Sequence, residues 1–384
     1  MPPDSIAPAS GAPASKAPAG PKAIERTLFP KPVAPRRPEG PKFLRNAWYV
    51  AMFASDLPEG KIVHQTILNE PIAFWRREDG GIAAIRDVCP HRFVPLSMGT
   101  LQPGDRVQCI YHGLEFGADG QCVKNPHGSR KISNCLHLPH YAVVEKHTLL
   151  WIWMGAAEPD ASKIPDYSCL DGRPGLLVTR PGYLNVKADY RLLVDNLLDL
   201  SHVSYTHAGI LGNDDIVRAE VVVEQKGDVV TVSRNVPNAE TPGIHRLIRP
   251  DAFEKGDQLN EISWFAPSNL FLETGVMPIG GERYGGAGYF ALHFLTPETA
   301  RTTHYRYSAA IWGVTEADDR ERGVRDTVYR MRTFAFADQD VPVIEAQQVA
   351  MDNLPDEPAP QLLSVDAGPN RYQKILDRLV AEEG

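Results

Sequence analysis

The 384-residue chain has little cysteine, no excess of basic residues and no long apolar run. Five cysteines, an odd number, are too few to staple a secreted scaffold, and they point instead to a reducing compartment and a cytoplasmic protein. Forty Lys and Arg against 48 Asp and Glu leave a net charge of −8. Phosphate recognition needs concentrated positive charge, so no nucleic-acid partner is expected. The longest apolar run, residues 149–157, contains a glycine and falls short of the roughly 18 residues that cross a bilayer, so no membrane partner is expected either. No apolar segment of the kind a signal peptide requires occurs near the N-terminus.

What the chain does have is 43% hydrophobic residues, enough for packed cores, and a length that predicts two folded units. Residues 1–41 hold 11 of the 33 prolines among Ala, Ser and Gly, and are expected to be a disordered tail. Residues 42–160 carry short β-prone runs at 72–75, 107–111 and 148–154 between turn signals such as Asp79-Gly80-Gly81 and Pro103-Gly104-Asp105, which predicts a small all-β domain. Residues 161–384 predict an α+β domain. A partly buried helix is expected within residues 182–209, where 26 residues lack both Gly and Pro. Strands are expected at 217–223, 229–236, 262–265, 270–274, 289–295 and 302–311, with Lys226-Gly227-Asp228 as a hairpin turn. Helices follow at 316–336, 343–351 and 370–382.

Two constellations carry chemistry. In the β domain, Cys89-Pro90-His91 is followed, after 17 intervening residues, by Cys109-Ile110-Tyr111-His112-Gly113. Two Cys–His pairs can hold a structural zinc or an iron–sulfur cluster of mixed ligation. Zinc fingers place their histidines together on a helix, whereas here each loop supplies one Cys and one His. That suits two adjacent metal positions, one bound by both thiolates and one by both imidazoles. This resembles the Rieske [2Fe–2S] motif, whose neutral imidazoles raise the reduction potential to about −150 to +300 mV from about −400 mV in all-Cys clusters. Cys122, Cys135 and Cys169 show no such pattern and read as packing thiols.

The second constellation is the run from Asp195 and Asn196 through Asp199 and His202 to His207. On an ideal helix of 3.6 residues per turn His202 and His207 point about 140° apart. A π-type widening or a break in the last turn is needed to bring them to one metal. With one carboxylate they would form the 2-His-1-carboxylate triad of non-haem Fe(II) sites.

Together the two constellations resemble the catalytic subunit of Rieske non-haem iron oxygenases, in the vanillate and dicamba O-demethylase branch, from about residue 43 to the C-terminus. The resemblance implies an N-terminal all-β Rieske domain and a helix-grip-like catalytic domain of antiparallel sheet with helices. It implies a [2Fe–2S] cluster on Cys89, His91, Cys109 and His112. It also implies a mononuclear iron on His202, His207 and Asp340, with Asp338 the alternative carboxylate. Asp199 would bridge a cluster histidine of a neighbouring subunit to an iron-ligating histidine, supported by Asn196, in a head-to-tail homotrimer. The implied partners are a ferredoxin and an NAD(P)H-dependent ferredoxin reductase, with O2 as co-substrate. The implied reaction is oxidative dealkylation of a small aromatic substrate by a monooxygenase; the alternative is a ring-hydroxylating dioxygenase that yields a cis-diol. In the dicamba branch an Asn, a His and a Trp hold an aromatic carboxylate. Aligning on Leu295-Thr296-Pro297-Glu298 puts His293 at the His position, Leu272 at the Asn position and Met331 near the Trp position. Leu272 cannot hydrogen-bond a carboxylate, which favours a neutral aromatic such as an N-alkoxyalkyl anilide.

Overall fold

The computed structural model describes residues 43–250, 254–354 and 360–383. The Pro-rich tail expected over residues 1–41 lies outside the described residues. The strands Trp48–Phe53 and Leu149–Trp153 pair antiparallel, with Trp48 opposite Trp153 and Phe53 opposite Leu149. Every residue of both is buried. Successive side chains of a strand point to opposite faces, and the pair uses both. Tyr49, Ala51, Leu150 and Ile152 enter the large central core, while Trp48, Val50, Leu149, Trp151 and Trp153 join a second core with Leu292, Phe294 and Ala310 from the C-terminal half. Two smaller sheets complete the N-terminal region: Val63–Ile67, Glu70–Arg76 and Ile82–Arg86, then Thr100–Gln102, Arg106–Gln108, Glu115–Phe116 and Cys122–Lys124.

Among the described residues the C-terminal half is built on one antiparallel sheet of nine strands. Its centre is Lys255–Phe265, Asn269–Met277, Ala287–Thr299 and Thr302–Trp312 in spatial sequence. Alternation along Ala287–Thr299 sends Phe290, Leu292 and Phe294 to the face covered by Trp151 and Tyr167. Tyr289, Ala291, His293 and Leu295 take the opposite face, toward the helices. The fold is thus α+β, an all-β N-terminal region followed by antiparallel sheet with helices.

Four expectations need correction. The strand expected at 107–111 ends at Gln108, because the backbone turns at Cys109. The one expected at 217–223 begins only at Val222. Residues Asp214–Arg218 are helical because the Asn213 side chain accepts hydrogen bonds from the Asp215 and Ile216 amides, 3.1 and 3.3 Å, and caps them. The helix expected over 316–336 is two, Glu316–Arg322 and Val324–Phe334, divided at Gly323, whose φ of 62° is left-handed. The segment 182–209 is a strand, Gly182–Val186, then a helix, Tyr190–Leu198, then a break and a single turn, Val203–Thr206.

Candidate iron–sulfur and iron sites

The first Cys–His pair sits in a loop closed by its own backbone. The Cys89 amide donates to the Val94 carbonyl at 2.9 Å, and the Phe93 amide donates to the Cys89 carbonyl at 2.8 Å. The second loop repeats this residue for residue. The Cys109 amide donates to the Leu114 carbonyl at 2.8 Å, and the Gly113 amide to the Cys109 carbonyl at 3.0 Å. In each loop the residue four after the cysteine is left-handed, Phe93 at φ 61° and Gly113 at 69°. Glycine adopts that conformation freely; a phenylalanine does so at a cost of about 1 to 2 kcal/mol. Both cysteines are buried at 2% exposure, while the His91 and His112 rings stand outside them with centroids 4.5 Å apart. Burial, and next to it the Cys109 thiol, pushes the Cys89 thiol up to about 11. A cationic metal centre is what draws such a pair into the thiolate form.

Buried carboxylates brace both loops. Asp87 accepts from the Ser97 amide at 2.7 Å and pairs with His64 Nδ1 at 2.7 Å. Glu115 takes Arg106 at 2.7 Å, Lys124 at 2.6 Å and Gln108 at 3.0 Å. His127, which its sequence context gave no reason to select, donates from Nε2 to the His112 carbonyl at 2.7 Å.

In the C-terminal half, His202, His207 and Asp340 each offer a ligand atom, and all three atoms lie within 4.8 Å of one another. The histidines converge because Tyr190–Leu198 stops at Asp199, whose ψ of 89° leaves the helical region, and the chain re-enters helical geometry at His202. The ring centroids are 5.3 Å apart. Of the two devices expected on the histidine helix, a widening or a break, the break is the one that occurs there, and a widening is found on the carboxylate helix: Ala335–Asp340 is a π-helix between Val324–Phe334 and Val341–Asn353. It presents Asp340 inward at 4% exposure and leaves Asp338 exposed, so Asp340, not Asp338, joins the histidines.

The two Nε2 atoms face the Asp340 carboxylate, His207 at 3.1 Å and His202 at 3.6 Å from Oδ1. Each Nδ1 is occupied elsewhere. His207 Nδ1 donates to Gln339 Oε1 at 2.8 Å, and His202 Nδ1 donates to the Asp199 carbonyl. That pattern fixes Nε2 as the free nitrogen of both rings. Burial lowers the His207 pKa, but the hydrogen bond and charge of Asp340 outweigh it and the net shift is upward. A cation bound at Nε2 would take the place of that proton.

Asn196 reaches the Asp340 carboxylate at 3.5 Å. Asp199 departs from expectation: it lies past the helix end, and within this chain its carboxylate accepts from the Ser201 amide at 2.9 Å and from the Ser201 hydroxyl, not from an imidazole. Gln339 went unselected in the sequence because an amide beside an aspartate carries no metal-ligand signal. Of the expected pocket residues, Leu272 and Met331 border one apolar cluster with Tyr289 and Ala291. His293, two positions from Ala291 on the same face, is 1% exposed, with Nδ1 2.7 Å from the Tyr305 hydroxyl and its ring 5.5 Å from Phe336. Among the described residues no helix is long and apolar enough to cross a membrane.

Comparison with known proteins agrees with this geometry. Residues 47–142 match the Rieske [2Fe–2S] domain, and residues 186–382 match the vanillate O-demethylase oxygenase C-terminal domain. The iron–sulfur subunit of a toluene-4-sulfonate monooxygenase system of Comamonas testosteroni is 34% identical over 89% of this chain and 98% of its own. The oxygenase component of chloroacetanilide N-alkylformylase from Rhizorhabdus wittichii is 33% identical over 89% of this chain and 97% of its own. The oxygenase component of dicamba O-demethylase from Stenotrophomonas maltophilia is 36% identical over 88% and 98%. A crystal structure of dicamba monooxygenase bound to 3,6-dichlorosalicylic acid superposes with a TM-score of 0.81 at 33% identity, covering 89% of this chain and 99% of that one. The cofactors are accordingly a Rieske [2Fe–2S] cluster and a mononuclear non-haem iron.

Proposed function

Because the chain belongs to the Rieske non-haem iron oxygenases of the vanillate and dicamba O-demethylase branch, we propose that it is the oxygenase component of a multicomponent monooxygenase that dealkylates a small aromatic substrate. Cys89 and Cys109 hold one iron of the cluster and His91 and His112 the other; His202, His207 and Asp340 hold the mononuclear iron. The observation that carries this reading is the convergence of both Nε2 atoms on Asp340, with each Nδ1 already committed. Bound there, the iron would supply dioxygen activation and the cluster the reducing electrons.

The chain's own residues set the geometry. Gln339 and the Asp199 carbonyl hold the two imidazoles so that both present Nε2, and Asn196 steadies the carboxylate. A set of two histidines and one carboxylate would suit an iron that activates dioxygen. For an aryl methyl ether the balance is one O2, two electrons and two protons in, and phenol, formaldehyde and water out. The hydroxylated carbon beside the ether oxygen or amide nitrogen collapses and releases the aldehyde.

A ferredoxin and an NAD(P)H-dependent reductase supply the electrons, and the working unit is a head-to-tail homotrimer. Supporting this, Phe93, Ile110 and Tyr111 stand 76%, 63% and 59% exposed around the cluster histidines, and Tyr205 is 76% exposed between His202 and His207. Large apolar side chains grouped on a surface mark a contact face. In that assembly the second oxygen of the Asp199 carboxylate, unused by Ser201, accepts the N–H of a cluster histidine from the neighbouring subunit.

Names of relatives span an anion, toluene-4-sulfonate, and a neutral anilide, so they leave the substrate's charge open. The test is turnover of aryl ethers and N-alkyl anilides with a generic ferredoxin and reductase. Aldehyde should form in step with O2 consumption. A cis-diol without aldehyde would assign the chain to ring dihydroxylation instead.

A further inference from the structure

Arg332 lies on Val324–Phe334, one turn before Phe336 and two before Asp340. It is 2% exposed, and its Nη2 is buried without a partner. Among the described residues no ion pair engages its guanidinium. Aromatic rings surround the charge instead: the guanidinium carbon is 5.2 Å from the centroid of Phe336, 5.7 Å from Tyr307 and 5.9 Å from Tyr289. A buried cation without a counter-ion is costly, and attraction to ring faces offsets only part of that cost.

Those rings belong to a chain that leads from the iron-site helix toward the surface. Tyr305 packs 5.5 Å from Phe336 and 5.5 Å from Tyr307, and Tyr307 packs 6.4 Å from Tyr329, which is half-buried. Tyr305 is well placed to lose an electron. With its hydroxyl donating to His293 Nδ1 at 2.7 Å, a base is in position to take the phenol proton as the electron leaves. Burial raises the Tyr305 pKa well above its ordinary value; the Arg332 charge pulls it down and the Asp340 charge pushes it up, so both charges reach this ring. A negative charge eases removal of an electron from the ring and a positive charge opposes it. Arg332 also weakens the proton acceptor, since burial and then the Arg332 charge hold His293 well below its ordinary pKa. The outer ring, Tyr329, has a cation of its own, Arg180 at 3.9 Å. That guanidinium is exposed and lies 3.5 Å from Asp326, so its field is screened, whereas the field of Arg332 is not.

We propose that Arg332 is an electrostatic guard of the iron site: its buried, unpaired charge protects Tyr305, and Tyr307 behind it, from one-electron oxidation by the mononuclear iron when no substrate is there to consume the oxidising equivalents. In the step it opposes, the oxidised iron gains one electron from Tyr305, the phenol O–H bond breaks, the proton bonds to His293 Nδ1, and a neutral tyrosyl radical remains. A unit charge 5.7 Å from a ring, in a medium of effective dielectric about 20, disfavours loss of an electron from that ring roughly a hundredfold. A counter-ion would cancel this effect, which accounts for a guanidinium buried among rings with no carboxylate beside it. This rests on the proposed reading of the His202, His207 and Asp340 site.

Substrate-free protein carrying the cluster and iron(II) is mixed with hydrogen peroxide as the oxidant, freeze-quenched, and read by electron paramagnetic resonance for tyrosyl radical per mononuclear iron. The wild type should give little. Arg332→Met should raise the yield about tenfold or more, and adding Tyr305→Phe should remove the increase. Arg332→Lys, which keeps the charge, should stay near the wild type. A yield in Arg332→Met no higher than the wild type's, or an equal increase in Arg332→Lys, overturns the proposal. Should Arg332→Met not fold, the wild type and Tyr305→Phe decide. A small signal that is the same in both supports the guard, and a wild-type radical approaching one per iron that Tyr305→Phe removes overturns it. Iron is counted in every sample. Protein without the mononuclear iron would sink the reading of that site and this proposal together, whereas bound iron with no added radical sinks this proposal alone.

Discussion

At the scale of single residues, the iron site depends as much on what holds the ligands as on the ligands. Gln339 and the Asp199 carbonyl each take one Nδ1–H and so decide which nitrogen is free. Replacing Gln339 by Leu leaves His207 without its partner. Mononuclear iron affinity should fall roughly 10–100-fold, while the visible spectrum of the cluster stays unchanged; chelator titration with iron analysis reads both. Cys89, His91, Cys109, His112, His202 and His207 were legible in the sequence because ligand chemistry restricts residue type and spacing. Gln339 and His127 were not. An amide and a loop histidine are common surface residues, and only the hydrogen bonds the fold gives them, to His207 and to the His112 carbonyl, set them apart.

Elements tell a different story, in which the pattern gave the type but not the interruptions. The apolar stripe of Leu192, Leu193, Leu197 and Leu198 is a real helix, yet no periodicity reveals that it stops at Asp199. Nor does anything in Phe336-Ala337-Asp338-Gln339-Asp340 announce a π turn. Those two departures are what bring the site together. The widened turn also sets the register of Val341–Asn353, whose Glu345 and Gln348 accept the Lys187 and Asp189 amides at 2.9 Å each. Ligand and clamp on the segment leading into the histidine helix therefore share one setting. On the same helix, burial raises the Asp195 carboxyl to about 6, with Gln373 hydrogen-bonded at 2.8 Å. A raised folded-state carboxyl pKa stabilises below the unfolded value and is lost as pH climbs through about 6. Between pH 5 and 7.5 this removes about 1 kcal/mol. Denaturation of Asp195→Asn at the two pH values should show a correspondingly smaller loss than the wild type.

For the whole molecule, the decisive quantity is how an electron leaves one domain and arrives at the other iron. If the exposed faces at Phe93 and Tyr205 meet in a trimer, light scattering gives three chains. In that case Asp199→Asn keeps the mass and both irons but slows discharge of a pre-reduced cluster roughly 10–100-fold, the usual cost of losing such a supporting contact. An unchanged discharge rate in that variant would remove the bridge from the scheme. The α+β class and the order of its parts were legible because strand and helix patterns are local. The shared core of Trp151, Tyr167 and Phe294 was not, since it joins residues far apart in sequence. That junction has an architectural consequence. Trp48 and Trp153 are register partners, as are Phe53 and Leu149, so the chain departs for the redox module and returns to the same doorstep. The intervening stretch has a second seam with the C-terminal sheet, where the Leu68 and Asn69 amides donate to the Pro297 and Glu298 carbonyls at 2.9 Å each, so a module of different potential transplanted onto that doorway must reproduce this seam as well.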